Sequence, residues 1–162
     1  MSQTNDKQAA LAKLSLGKAT EYREEYSPGL LQAVPRSMNR VELNLTNELP
    51  FSGTDRWNGY ELSWLNLKGK PRVAIMRCEV PANSPSIIES KSFKLYLNSF
   101  NQSHFDSIAA VTKALTQDLS ECAGAQVEVI LFTPAEFMQM QISCLDGVSI
   151  DDLDIAVTNY QL

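Results

Sequence analysis

The side chains best suited to ligand chemistry are gathered in one short run, Glu89-Ser90-Lys91-Ser92, directly after two isoleucines. The apolar residues that follow recur at three- and four-residue spacing, so the run predicts a junction between a short strand and a helix at Glu89. The positive end of a helix dipole stabilises a carboxylate at this position, and exposed backbone N–H groups there can hold an anion. The run therefore predicts a binding site for a polar ligand.

The charges of this run favour one kind of ligand. An ionised carboxylate only accepts hydrogen bonds, so Glu89 suits the adjacent ring N–H and exocyclic amine of a guanine-like edge. Lys91 and Lys94 add positive charge that suits a phosphorylated cofactor. In the structural alternative, Glu89 only occupies the first helical turn and the lysines form a solvated face. If Glu89 serves binding, its replacement is expected to leave stability nearly unchanged.

The remaining reactive side chains are few. Cys78, Cys122 and Cys144 are odd in number and lack paired close spacing, which argues against a disulfide framework and a zinc ribbon. We expect reduced thiols. His104 is the single histidine, so a three-histidine metal site is excluded, and we predict no metal ligands.

The elements around the run follow from hydrophobic periodicity. Tyr60, Leu62 and Trp64 alternate with polar residues and predict a strand, which a turn at residues 68–71 joins to a second strand. A second helix is predicted from Ile108 to Cys122, with Asp106 and Gly124 as caps. The last predicted elements are a strand from Val127 to Leu131, a short helix beginning at Pro134, and a strand over Ile142 to Leu145.

The order β-β-α-α-β-β indicates an α+β fold, in which two consecutive helices pack on one face of an antiparallel sheet. The first 25 residues are predicted to form a frayed helix followed by an extended arm. Residues 30–37 are predicted to form a loop or a short edge strand. The net charge of −5 argues against direct contact with nucleic acid. No apolar run is long enough to cross a membrane, so a cytoplasmic location is expected.

Several segments together resemble one enzyme family. The run Ile88-Glu89-Ser90-Lys91-Ser92-Phe93-Lys94-Leu95-Tyr96-Leu97-Asn98-Ser99-Phe100 is similar to the signature of cyano-deazaguanine reductases. The similarity extends to residues 30–40, 51–55, 60–66 and 150–152. It implies a tunnelling-fold (T-fold) module and NADPH-dependent reduction of the nitrile of 7-cyano-7-deazaguanine to 7-aminomethyl-7-deazaguanine. That oxidoreductase reaction belongs to queuosine biosynthesis, a route of tRNA modification.

The resemblance also implies roles for individual residues. Ile88, Glu89 and Ser90 are expected to contact the base, while Ser90 and Lys91 are expected to contact NADPH. In this family a cysteine thiolate attacks the nitrile carbon to form a thioimide, and an aspartic acid donates a proton. Cys144 and Asp151 have the spacing of that pair but follow the signature and lack its surrounding residues. We therefore predict no catalytic residue in this chain.

In the long, bimodular class of the family, the catalytic residues belong to a second module. The sequence matches the first module, so residues 1–40 are expected to form an arm and residues 41–162 the T-fold module, with the catalytic module absent. Phe105-Asp106-Ser107 replaces the His-Glu pair that the catalytic module carries at its second helix. The chain alone is expected to be inactive, and a homodimer is expected from the tendency of T-fold modules to assemble.

Two other functions remain open. The first is a purine- or pterin-binding module of the same fold without catalytic activity. The second is a structural domain that only mediates dimerisation.

Overall fold

The main sheet is built on a long antiparallel hairpin. A computed structural model describes residues 23–45, 49–139, 141 and 146–159 of the chain. In chain order its elements are β1 (Ala33–Pro35), α1 (Ser37–Arg40), β2 (Thr54–Leu65), β3 (Pro71–Pro81), β4 (Ser86–Ile88), α2 (Ser90–Asn98), α3 (Ile108–Ala123), β5 (Glu128–Phe132) and α4 (Pro134–Phe137). Single 3-10 turns occur at Pro28–Leu30 and Val41–Leu43. All strand pairs are antiparallel, so the α+β prediction is confirmed.

The strand order of the main sheet is β2-β3-β5, and β2 contains a bulge. Gly59 pairs with Met76 and Leu62 pairs with Ala74, so Tyr60 and Glu61 lie opposite a single residue of β3. An extra residue of this kind interrupts the alternation of side chains between the two faces. The prediction that Tyr60 shares a face with Leu62 and Trp64 is wrong, because Tyr60 is 71% exposed whereas the other two are buried.

Both long helices pack on the same face of this sheet. The sheet contributes alternate residues of β3 (Ala74, Met76, Cys78 and Val80) to the core, together with Leu62, Trp64 and Val129, and Val127 joins them from directly before β5. The helices contribute Phe93 and Tyr96 from α2 and Val111, Leu115 and Leu119 from α3. Complete burial of one such apolar side chain contributes about 1.5–3 kcal/mol, so this shared layer is the main source of stability.

The caps of α3 fix its position. Ser107, rather than the predicted Asp106, is the N-cap, and its hydroxyl oxygen accepts a hydrogen bond from the Ala110 N–H at 3.1 Å. Asp106 accepts a hydrogen bond from that hydroxyl at 2.7 Å. The predicted C-terminal stop is confirmed, since Gly124 adopts the left-handed conformation with φ +69°. A Cβ there would also lie 3.2 Å from Pro85 Cγ, so both conformation and space favour glycine.

The strands β1 and β4 form a separate two-stranded ribbon that ties the start of the described chain to α2. Ala33 pairs with Ile88, and Pro35 pairs with Ser86. The backbone N–H of Gln32 donates to Ser92 Oγ at 3.0 Å. The predicted edge strand within residues 30–37 is thus present, and it places the segment before residue 40 against the helix that carries the signature.

Asp118 is a buried carboxylate between two phenols. It is 9% exposed, and its Oδ2 accepts hydrogen bonds from the Tyr26 hydroxyl at 2.5 Å and the Tyr96 hydroxyl at 2.6 Å. Burial, followed by the hydrogen bond to Asp118, raises the pKa of both tyrosines. Both hydroxyls therefore stay protonated and act as donors. The ring of Tyr26 also meets Phe100 edge-on, with centroids 5.1 Å apart.

Some predicted elements lie outside the described residues. The last strand, Ile142 to Leu145, is among them, and so are residues 1–22 of the segment predicted as a frayed helix and an extended arm. The predicted short helix after Thr133 is present and spans Pro134–Phe137.

Candidate functional site

The start of α2 is organised by the side chain of Glu89. This residue is the N-cap of the helix, and its carboxylate accepts hydrogen bonds from the backbone N–H groups of Lys91 (2.9 Å) and Ser92 (2.6 Å). Its own N–H donates to the Gln32 carbonyl at 2.8 Å, and its carbonyl accepts from the Ser92 hydroxyl at 2.8 Å. With only 7% of the residue exposed, the carboxylate has a fixed position and orientation.

This arrangement bears on two expectations about Glu89. The expectation of exposed N–H groups is wrong, because the N–H groups of Lys91 and Ser92 already donate to its carboxylate. Removal of an N-cap side chain typically costs about 0.5–2 kcal/mol, so we now expect replacement of Glu89 to lower stability. A carboxylate offers about four acceptor positions, which allows one side chain to cap a helix and to bind a ligand.

A groove runs between β2 and α2 beside this helix start. Its volume is about 320 Å³. The sheet side is formed by Trp57, Asn58, Gly59, Tyr60, Glu61 and Met76, and the helix side by Ser90, Phe93, Lys94, Leu97 and Asn98. Volumes of 300–1,000 Å³ with a mostly apolar floor and a few polar groups are typical of small-molecule sites.

The floor of the groove depends on a close approach between sheet and helix. The rings of Trp57 and Phe93 meet edge-on, with centroids 5.6 Å apart. A Cβ at Gly59 would lie 3.2 Å from both the Leu97 Cδ1 and the Met76 Cε atoms. The absence of a side chain at residue 59 therefore keeps the floor in place, and the bulge that follows turns Tyr60 outward to form a wall.

Only some of the residues predicted to bind ligands line the groove. Ser90 lines the groove, together with Lys94 one helical turn later. Ile88 is 1% exposed and belongs to the core, and Glu89 is buried immediately before Ser90. Lys91 is partly exposed and does not line the groove.

The sequence did not predict the β2 side of the groove. Residues 57–61 contribute five of its lining residues, and Asn98 adds an amide from the end of α2. Trp57 and Tyr60 are ordinary strand residues by type, and the bulge that turns Tyr60 outward leaves no mark in the alternation of apolar and polar residues. Gly59 in the middle of a strand was the one available signal, because an interior glycine often marks a bulge or a close approach.

The described cysteines lie in surroundings that suppress their chemistry. Burial, with a smaller effect of the nearby Glu79 charge, raises the pKa of Cys78 to about 12. Burial also raises the pKa of Cys122. Because the thiolate is the nucleophile, neither thiol is activated at neutral pH. Cys144 lies outside the described residues, and Asp151 is exposed, with its N–H donating to Ser149 Oγ at 3.3 Å.

The burial and raised pKa of Cys78 predict that its thiol is strongly protected from alkylation. Below its pKa the thiol is protonated, and at pH 8 on the order of one Cys78 in ten thousand would be ionised. Iodoacetamide should therefore modify Cys78 at least about 100-fold more slowly in the native chain than in urea, where the pKa returns to about 8.5. Peptide mapping by mass spectrometry gives the two rates. Equal rates would mean that Cys78 is accessible and ionised in the folded chain.

No helix in the described ranges is long and apolar enough to cross a membrane. The same ranges contain no group of three or more His, Cys, Asp or Glu side chains that could hold a metal ion.

Comparison with known proteins places this geometry in a family. A model described as nitrile reductase, 7-cyano-7-deazaguanine-reductase N-term, matches residues 22–131, which include the groove and Glu89. A relative from Dechloromonas aromatica (strain RCB), named NADPH-dependent 7-cyano-7-deazaguanine reductase, is 55% identical over 147 residues. The alignment covers 90% of this chain and 52% of the relative, so the chain spans about half the length of the curated relative it matches.

Proposed function

The chain belongs to the amino-terminal family of 7-cyano-7-deazaguanine nitrile reductases, and from this membership we propose that it is one half of such an enzyme. The complete protein would use NADPH to reduce the nitrile of 7-cyano-7-deazaguanine to the aminomethyl group, a step in queuosine biosynthesis for tRNA modification. In this proposal residues 1–40 form an arm, residues 41–162 form the T-fold module, and a second module follows.

The observation that carries the proposal is the fixed carboxylate of Glu89 beside the groove. Two backbone N–H groups hold it in place, and the next residue, Ser90, lines the groove. The ring N–H and exocyclic amine of a guanine-like base need an adjacent, charged acceptor of this kind. A prepositioned acceptor does not have to be ordered when the ligand binds, which reduces the entropic cost of binding.

We assign the binding roles as follows. Glu89 accepts from the base, Ser90 contacts both base and cofactor, and Ile88 contacts the base through its backbone, since its side chain is 1% exposed within the core. Lys91 contacts NADPH, and Lys94 adds a positive charge on the groove wall. A serine hydroxyl and lysine ammonium groups fit the phosphates and riboses of NADPH, which supplies the hydride when bound.

The two cysteines that the structure describes lead us to assign the covalent chemistry to the second module. Cys78 and Cys122 have raised pKa values and are not activated. The nucleophilic cysteine and the proton-donating aspartate would then come from the partner module, with the base held between the two modules. We place the complete enzyme in the cytoplasm as a homodimer that contacts neither nucleic acid nor membrane.

The isolated chain is accordingly expected to reduce no nitrile. Its NADPH consumption with 7-cyano-7-deazaguanine, followed at 340 nm, should equal the rate without the base. The complete two-module protein, assayed in parallel, should show base-dependent NADPH oxidation. Steady base-dependent oxidation by the isolated chain would contradict the division of labour proposed here.

Fluorescence titration of the base separates this proposal from the two alternatives. A site shared between modules predicts tight binding only when both modules are present. Equal affinity for the isolated chain would favour a self-sufficient purine- or pterin-binding module. Binding by neither form would favour a domain that only mediates dimerisation.

A further inference from the structure

A second cavity lies at the far end of the β1–β4 ribbon, where α1 meets the loop between β3 and β4. Its volume is about 390 Å³. The described residues that line it are Arg36, Ser37, Arg40, Val41, Leu45, Leu49, Asn83, Ser84 and Pro85. None of them lines the groove beside Glu89, and none has a role in the proposed reaction. They include two arginines, both from the 30–40 segment of the sequence, and no acidic residue.

Arg36 builds the wall of this cavity. Its Nε donates to Ser84 Oγ at 3.0 Å, and its Nη2 forms an ion pair with Asp55 and a hydrogen bond of 3.3 Å to the Pro81 carbonyl. Ser84 is 1% exposed, and its hydroxyl donates onward to the Ser86 carbonyl at 2.8 Å. Because Asp55 neutralises Arg36, this arginine shapes the cavity without leaving a net charge in it.

Arg40 supplies the charge. Its Nη2 donates to the Ala82 carbonyl at 2.6 Å, which fixes the direction of the guanidinium. In the chain as described, no carboxylate lies within ion-pair distance of Arg40. A guanidinium carries five N–H groups in a planar fork that matches phosphate and carboxylate oxygens. Ser37 and Asn83 line the same cavity and carry further hydrogen-bond donors.

We propose that this cavity binds the phosphoryl group of a phosphorylated ligand, with Arg40 as the principal contact and Ser37 and Asn83 as secondary ones. The positive charge of Arg40 has no acidic neighbour among the described lining residues, and Arg36 and Ala82 hold the site in shape before a ligand arrives. The apolar wall of Val41, Leu45 and Leu49 suits the organic part of such a ligand.

Inorganic phosphate is the simplest probe. Thermal unfolding of the full chain is followed with phosphate and with chloride at matched ionic strength. A site with a Kd of about 1 mM raises the midpoint by about 5–9 °C at 50 mM phosphate. Arg40→Ala should lose most of this shift, and Arg40→Lys should keep part of it, because lysine keeps the charge but not the fork. Arg72→Ala is the matched control, since Arg72 is exposed and lies outside this cavity, and it should keep the full shift.

The midpoints without phosphate report whether each variant folds. If Arg40→Ala fails to fold, Arg40→Lys and Asn83→Ala carry the test, and both should show a reduced shift. Equal shifts in the parent and the cavity variants, or a shift that chloride reproduces, would overturn the proposal.

Competition identifies the source of the phosphoryl group. If it belongs to NADPH, the cofactor displaces phosphate from the parent, and Arg40→Ala weakens NADPH binding. If it belongs to another phosphorylated compound, NADPH leaves phosphate binding unchanged. Both results support the cavity as a phosphoryl site. The phosphate readout needs neither the base nor turnover, so it is independent of the reductase proposal.

Discussion

Asp118→Ala is expected to lower the free energy of unfolding by about 2–4 kcal/mol, because it removes a buried acceptor shared by two phenols. The Tyr96 hydroxyl is fully buried and would lose its acceptor, and a buried unsatisfied donor costs about 1–3 kcal/mol. The Tyr26 hydroxyl would lose the contact that ties it to α3. Urea unfolding followed by circular dichroism measures the difference between variant and parent.

Single tyrosine variants measure how much each of the two hydroxyls contributes to this loss of unfolding free energy. Tyr26→Phe removes a donor from a partly exposed residue and leaves the Tyr96–Asp118 bond, so a loss of about 1 kcal/mol is expected. Tyr96→Phe should cost more, because its hydroxyl lies in the core. A loss below 1 kcal/mol for Asp118→Ala would show that the two phenols find other partners.

If Glu89 accepts from the base as proposed, Glu89→Ala in the complete two-module protein is expected to weaken binding of 7-cyano-7-deazaguanine at least tenfold. The ring N–H and amine of the base lose their charged acceptor, a loss on the order of 2–5 kcal/mol for a desolvated pair. The same change removes the N-cap of α2, so the free energy of unfolding should fall by about 0.5–2 kcal/mol. Isothermal titration and urea unfolding measure the two effects separately.

Two further replacements of Glu89 separate capping from binding. Serine is a strong N-cap residue, so Glu89→Ser should keep most of the stability while losing the affinity. Glu89→Gln keeps one acceptor but adds a competing N–H donor, so its affinity should be intermediate or as poor as that of alanine. Unchanged affinity in Glu89→Ser would reduce Glu89 to a purely structural residue.

The helices were the most predictable part of the fold. Phe93 and Tyr96 on α2, and Val111, Leu115 and Leu119 on α3, recur at helical spacing and are all buried. The helical spacing of these residues identifies the buried side of each helix, because one face of the helix packs against one face of the sheet. Gly124 marked the end of α3 for a similarly local reason, since a left-handed terminal residue favours glycine.

The bulge in β2 and the role of Asp118 depend on distant residues and could not be predicted. In the sequence, the alternation of apolar and polar residues continues through Tyr60 without a break. Only the pairing with β3 shows that Tyr60 and Glu61 lie opposite a single residue. Asp118 is a polar residue between Leu115 and Leu119, typical of a helix surface by type. Its burial depends on Tyr26, which is 92 residues away in the chain.

The candidate site was partly predictable for the same reasons. Ser90 and Lys94 lie one turn apart on α2, so their common wall follows from local spacing. The capping role of Glu89 was missed because glutamate is not among the preferred N-cap residues, although its carboxylate reaches two N–H groups here.

The sequence separation of the contacts made by the Tyr26–Gln32 segment has a consequence for the order of folding. Three of its hydrogen bonds join residues that are separated by 60, 77 and 92 positions in the sequence. The strands β2 and β3, in contrast, follow each other in the chain and are joined by a short turn. Closing long loops is entropically costly, so local hairpins form earlier than such contacts. During synthesis the segment leaves the ribosome before α3 does, and it has no docking surface until α3 has followed. Its amide protons should consequently exchange faster than those of the β2–β3 hairpin.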